Sequence, residues 1–148
     1  MIFVTVGTTY KFDELIREID KIAPLIKEDI IIQIGKSNYI PKNCKYFRFT
    51  KSLIPYFKKA NLIISHGGAG TTYEVLKIGK KLISVENRDV NDAHQWDLLK
   101  KLSDKKYTIW CKDVSKIHEA IKLAEKHKLK KYAQPKCSIN KKIIMLVK

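Results

Sequence analysis

A doubly wound α/β domain, one parallel sheet covered by helices on both faces, is the fold class this sequence predicts, and three observations predict it. Short apolar runs rich in isoleucine and valine alternate along the chain with segments whose apolar residues recur at helical spacing. The strand runs are nearly continuous rather than alternating, which is the pattern of strands buried on both sides. Glycine-bearing loops follow two of them and open directly into helical segments, at Gly7-Thr8-Thr9 and at Gly67-Gly68-Ala69-Gly70.

Residues 2–6 form a β-branched and aromatic run closed by Gly7, after which Phe12, Leu15, Ile16, Ile19 and Ile22 mark one helix face up to Pro24. Residues 30–34, closed by Gly35, make a second strand, and 46–49 a shorter third after the turn Pro41-Lys42-Asn43. Ser52 is the expected cap of a short helix with Pro55 in its first turn and Tyr56 and Phe57 as its apolar contacts. A strand at 62–65, a helix over 71–78 stopped by Gly79, and a strand at 82–85 come next. Asn91 or Asp92 would cap a helix with Leu98, Leu99 and Leu102 on its inner face, and 107–110 supply the last strand. Asp113 begins the final long helix, with Val114, Ile117, Ile121 and Ala124 inward.

A chain of 148 residues with 45% hydrophobic content supports one domain with a real core, expected over 1–129. The basic tail over 130–148 carries the apolar patch Ile143-Ile144-Met145-Leu146-Val147, either a terminal element docking on its own domain or a partner contact. No apolar run approaches the roughly 20 residues that span a bilayer, and the N-terminus lacks signal-peptide character, so a soluble cytoplasmic protein is expected. Cys44, Cys111 and Cys137 are far apart and show no metal-binding spacing, so no metal site is expected. Lys and Arg number 30 against 15 Asp and Glu, a net +15 that suits a phosphate-rich ligand, an anionic membrane or nucleic acid. The lysines are spread along the chain and nucleic-acid-binding motifs are missing, so no nucleic-acid partner is expected.

In doubly wound sheets ligands lie outside the carboxyl ends of the strands, where Gly7-Thr8-Thr9, the loop at 65–74 and the segment 86–95 are all expected to arrive. The 65–74 loop lacks the Lys-Ser/Thr ending of a P-loop and the G-x-G-x-x-G spacing of a dinucleotide fingerprint. Its glycines still let backbone approach a ligand closely, and the first N–H groups of the helix that follows have no intrahelical acceptor, so phosphate is the natural guest. The competing reading is a sharp strand-to-helix turn in which Thr71 and Glu74 form an ordinary capping box.

Phe3-Val4-Thr5-Val6-Gly7-Thr8-Thr9, Phe12-Asp13-Glu14-Leu15, Ser65-His66-Gly67-Gly68-Ala69-Gly70-Thr71, Glu74 and His94-Gln95, in this order and at these distances, carry a resemblance over residues 1–125. The chain resembles the donor-binding C-terminal half of GT-B glycosyltransferases related to MurG. It is most similar to the small stand-alone versions of that half, found in the dolichol pathway and in PssE-type polysaccharide synthesis. The resemblance implies a Rossmann-like sheet forming half of a GT-B fold. It also implies a UDP-sugar donor, an inverting transfer to a polyprenyl-diphosphate-linked acceptor, and neither metal nor cofactor.

Carried onto this chain, the diphosphate falls to Gly67, Gly68, Ala69, Gly70 and Thr71, with Gly7, Thr8, Thr9 and His66 beside them. The ribose falls to Glu74, and the sugar with its nearby phosphate to His94 and Gln95. His66 and His94 are the candidates for a catalytic role. The family often has proline where this chain has Lys81 and Glu86. The second GT-B half is missing from the pattern, so a membrane-associated partner subunit is expected to supply the acceptor site and hold the protein peripherally at the cytoplasmic membrane face. The alternative is a non-catalytic nucleotide-sugar-binding module that regulates another protein.

Overall fold

The computed structural model describes residues 1–90 and 93–133 of the chain. In chain order its elements are β1 (Ile2–Thr5), α1 (Asp13–Ile22), β2 (Ile30–Gln33), β3 (Lys45–Phe47), α2 (Ile54–Lys59), β4 (Leu62–Ser65), α3 (Ala69–Ile78), β5 (Lys81–Val85), α4 (Ala93–Asp104), β6 (Ile109–Cys111) and α5 (Ile117–Lys126). The six strands form one sheet in the order β3-β2-β1-β4-β5-β6, and every neighbouring pair is parallel. The predicted class is therefore the observed one.

Strand alternation splits the core into two layers. Val4, Ile32, Ile64 and Ile83 face Leu15, Ile16 and Ile19 of α1 and Ile117 and Ile121 of α5. Phe3, Ile63 and Leu82 face Phe57 of α2, Val75 and Leu76 of α3 and Leu102 of α4. Phe3 also stacks against Phe47 and Tyr56 and meets Phe57 edge-on, which fastens the short β3 to its neighbours. Among the described residues no helix is long and apolar enough to cross a membrane.

Several boundaries move, each for a local reason. α3 starts at Ala69, two residues before the expected start, because Gly68 takes the extended N-cap conformation and Ala69 and Gly70 already turn helically. Leu53, not Ser52, occupies the N-cap position of α2, although the Ser52 hydroxyl still accepts the Ile54 N–H at 3.3 Å. The last strand lies at 109–111 rather than 107–110, since Tyr107 is used to close α4: its N–H bonds the Leu102 carbonyl at 3.0 Å and Lys106 sits at φ 61°. Asp113 caps a single 3₁₀ turn through Ser115, and the last helix proper begins only at Ile117. Leu98 is half-buried while Leu99 and Leu102 are buried, and the expected caps Asn91 and Asp92 lie outside the described residues. So do Cys137 and all of the tail beyond Ala133. Before that point the Lys130 N–H bonds the Lys106 carbonyl at 2.9 Å and the Tyr132 ring packs on Tyr73 and Tyr107.

The crossover from β2 to β3 is held by one buried carboxylate. Asp20 accepts the N–H groups of Lys42 at 3.0 Å and Asn43 at 2.6 Å and the Tyr39 hydroxyl at 2.8 Å. Burial by itself would raise its pKa, but these donors outweigh burial and leave it below the ordinary carboxylate value. A depressed folded-state pKa gives stability that is present above the unfolded-state value and lost as the pH falls through the folded one. Asp20→Asn is expected to lower the unfolding free energy at pH 7 by about 2 kcal/mol, and by less at pH 3, as measured by urea midpoints at the two pH values.

Candidate functional site

The chain order places the switch between β1, which leads to β2 on one side, and β4, which leads to β5 on the other. Thr5, Ser65 and Ser84 are register partners across these strands, so three loops leave the sheet at one level. The first two leave by the same device. Thr5 Oγ1 accepts the Gly7 N–H at 3.3 Å and Ser65 Oγ accepts the Gly67 N–H at 3.4 Å, and both glycines adopt positive φ, 77° and 78°. Each strand end is thus turned sharply by a hydroxyl reaching two residues on.

Between the two turns lies the His66 imidazole. A Cβ on Gly7 would stand 2.7 Å from its Cε1, and one on Gly68 would stand 2.5 Å from its Nε2, so the ring fills the space that two absent side chains leave. Burial pushes the His66 pKa down, against an upward pull from the Thr5 backbone carbonyl, and the ring is neutral at physiological pH. Its Nδ1 is buried and makes no hydrogen bond to the described residues.

Thr9, Tyr10, His66, Gly68, Ala69, Asn87, Val90, His94, Gln95 and Leu98 line one cavity of about 300 Å³ at this end of the sheet. Gly68 and Ala69 bring to it the N-terminus of α3, whose first N–H groups have no intrahelical acceptor and carry the positive end of the helix dipole. Exposed His94 and half-buried Gln95 come from the first turn of α4, and the Gln95 amide approaches the His66 carbonyl at 3.5 Å. No lysine or arginine lines the cavity among the described residues, so local attraction for an anion comes from backbone N–H groups rather than from the chain's net charge.

Of the sequence-predicted site residues, Thr9, His66, Gly68, Ala69, His94 and Gln95 share this cavity. Gly7 and Gly67 are not among the lining residues: a Cβ on Gly7 would meet the His66 ring, and one on Gly67 would stand 2.9 Å from Leu99 Cδ1. Thr8 and Gly70 are exposed beside the cavity, Thr71 is half-buried, and Glu74 is exposed as the sixth residue of α3. With Gly68 as N-cap, Thr71 is the third helical residue, so the capping box between Thr71 and Glu74 does not form.

Tyr10, Asn87 and Val90 also line the cavity without being sequence-predicted site residues, and so does Leu98, which the sequence placed only on the inner face of its helix. Tyr10 directly follows the flagged Gly7-Thr8-Thr9, and Asn87 and Val90 fall in the flagged segment after β5, but residue type alone did not set them apart. The departures from proline also gain a meaning. The Glu86 N–H bonds the Cys111 carbonyl at 3.0 Å, a bond that proline cannot make, and the Lys81 ammonium caps α5 at the Ala124 carbonyl at 2.7 Å.

Human UDP-N-acetylglucosamine transferase subunit ALG13 is 36% identical to this chain over 123 residues, covering 74% of the chain, which spans only 11% of the human protein's length. A solution structure of ALG13 superposes with a TM-score of 0.64 at 20% identity, covering 98% of this chain and 93% of that one. MurG from Acinetobacter baumannii superposes with a TM-score of 0.63 at 19% identity, covering 83% of this chain and 41% of MurG. Residues 1–147 match the family described as the glycosyltransferase family 28 C-terminal domain, and to that family this chain belongs.

Proposed function

We propose that this chain is the donor-binding subunit of an inverting glycosyltransferase. It takes a hexose from a UDP-sugar, UDP-N-acetylglucosamine or a similar donor, and passes it to a polyprenyl-diphosphate-linked acceptor together with a membrane-associated partner. The observation that carries this reading is the meeting of the β1 loop, the α3 N-terminus and the first turn of α4 at one cavity, in a domain of family 28. The diphosphate lies against the N–H groups of Ala69, Gly70 and Thr71. There the helix dipole stabilises the charge that grows on departing UDP. Glu74 takes the ribose hydroxyls, and His94 and Gln95 face the sugar. His66, neutral and clamped between glycines, keeps the two loops apart and offers hydrogen bonds without charge.

The described residues form one Rossmann-like layer with a donor crevice, and transfer also requires a facing wall to position the acceptor hydroxyl and exclude water. The naming of human ALG13 as a subunit supports such a division of labour. The test is to assay transfer from a UDP-sugar panel to a polyprenyl-diphosphate-sugar, with the chain alone and with a candidate acceptor-half polypeptide. Transfer only by the pair is expected. Full activity of the isolated chain overturns the half-enzyme reading, and donor binding without transfer by the pair favours a regulatory module.

Gln95→Ala is expected to weaken UDP-sugar binding by several-fold through lost hydrogen bonds to the sugar hydroxyls, and to change UDP affinity much less. Isothermal titration with both ligands checks this, and an equal loss for both would show that Gln95 acts by holding the His66 carbonyl instead.

A further inference from the structure

We infer that Tyr10 is the stacking wall for the pyranose ring of the donor and that Asn87 positions it, an inference that rests on the UDP-sugar reading above. Tyr10 lines the cavity and is 56% exposed, while the backbone immediately after it is fixed on both sides. The Lys11 carbonyl accepts the Asn87 side-chain amide at 3.0 Å, and the Phe12 N–H donates to Ser37 Oγ at 3.0 Å while the Phe12 ring is buried in the core. The chain therefore holds residues 11 and 12 firmly and leaves the Tyr10 ring against the cavity.

Asn87 is 4% exposed and uses both ends of its amide. Nδ2 reaches across to the β1 loop, and Oδ1 accepts the Asp89 N–H at 3.1 Å within its own loop. Its backbone carbonyl takes the Val90 N–H at 3.1 Å. One side chain thus ties the loop that carries Val90 to the loop that carries Thr9 and Tyr10, and so fixes the distance between two walls of the cavity.

The chemistry of the lining selects the sugar rather than the nucleoside. Glu74, assigned to the ribose, is not among the lining residues, and the anion-binding turn of α3 forms one wall, so the part of the ligand beyond the diphosphate occupies the cavity. A pyranose has a rim of hydroxyls and an apolar C–H face. His94 and Gln95 supply partners for the rim, and the Tyr10 ring supplies a flat apolar surface for the face.

Isothermal titration of UDP and UDP-N-acetylglucosamine against the wild-type chain, Tyr10→Ala, Tyr10→Phe and Asn87→Ala, with thermal unfolding of each, tests the assignment. Tyr10→Ala is expected to weaken UDP-N-acetylglucosamine roughly five- to ten-fold and to leave UDP within about two-fold, while Tyr10→Phe retains most of the sugar-dependent gain. Asn87→Ala should shift the two ligands in the same sense as Tyr10→Ala. Equal weakening of both ligands in Tyr10→Ala, or no change in either, overturns the stacking wall while leaving the UDP-sugar reading in place. A slower transfer by Tyr10→Ala with unaltered donor affinity also overturns it and moves the ring to the acceptor. Failure of the wild-type chain to bind either ligand overturns the UDP-sugar reading and this inference with it.

Discussion

Replacing Gly7 with alanine is expected to lower the unfolding free energy by about 2–5 kcal/mol and to remove nucleotide binding. Two effects add. At φ 77° an L-residue with a Cβ costs about 1–2 kcal/mol relative to glycine. The new methyl group would also stand 2.7 Å from the His66 ring, and overpacking of this kind costs about 1–3 kcal/mol. The imidazole is also packed close to Gly68, so a shift of the ring acts on that residue or on the cavity it lines. The movement is therefore passed to the N-terminus of α3, where the diphosphate is proposed to lie. Urea denaturation and UDP titration on the same preparation measure the two losses. Gly70→Ala is the contrast, since a Cβ there meets nothing within 4 Å. It is expected to keep or raise stability, by up to about 1 kcal/mol, yet to weaken UDP binding because the methyl group crowds the phosphate. Undiminished UDP affinity in Gly70→Ala would place the phosphate away from that residue.

Glu74→Gln is expected to cost about 1.5–3 kcal/mol of UDP affinity, roughly 10- to 150-fold, with almost no change in stability. The structure sharpens this separation. Glu74 is exposed, makes no hydrogen bond or ion pair with the described residues, and is not a helix cap, so the fold loses nothing when its charge is removed. A surface change of that kind moves stability by no more than about 0.5 kcal/mol. Unchanged UDP affinity in the folded variant would remove Glu74 from the ribose site.

Element type was legible in the sequence wherever burial alone dictates the pattern. Ile30-Ile31-Ile32 and Leu62-Ile63-Ile64 are apolar on both faces because helices cover both faces, and the 3.6-residue period of Leu15, Ile16 and Ile19 follows from one helix stripe meeting one sheet. Boundaries were less legible where a backbone cap competed with propensity. Tyr107 has strong strand character but spends its N–H on Leu102, and Ala69-Gly70 has the look of a loop but begins a helix because Gly68 takes the extended cap conformation.

For the site, the order of the motifs and their family resemblance pointed to three segments, since a parallel sheet delivers all its strand ends to one side. Which residues of those segments share a cavity was decided by tertiary structure alone. Gly7 and Gly67 leave room for the His66 and Leu99 side chains, a fit that depends on contacts with residues from other elements. Asn87 takes its place from a hydrogen bond to a carbonyl 76 residues earlier in the chain. Periodicity and local motifs report what a residue does to its neighbours in sequence. A clasp between two loops joins groups that meet only after the sheet has brought β1 and β5 into one layer, so nothing local announces it.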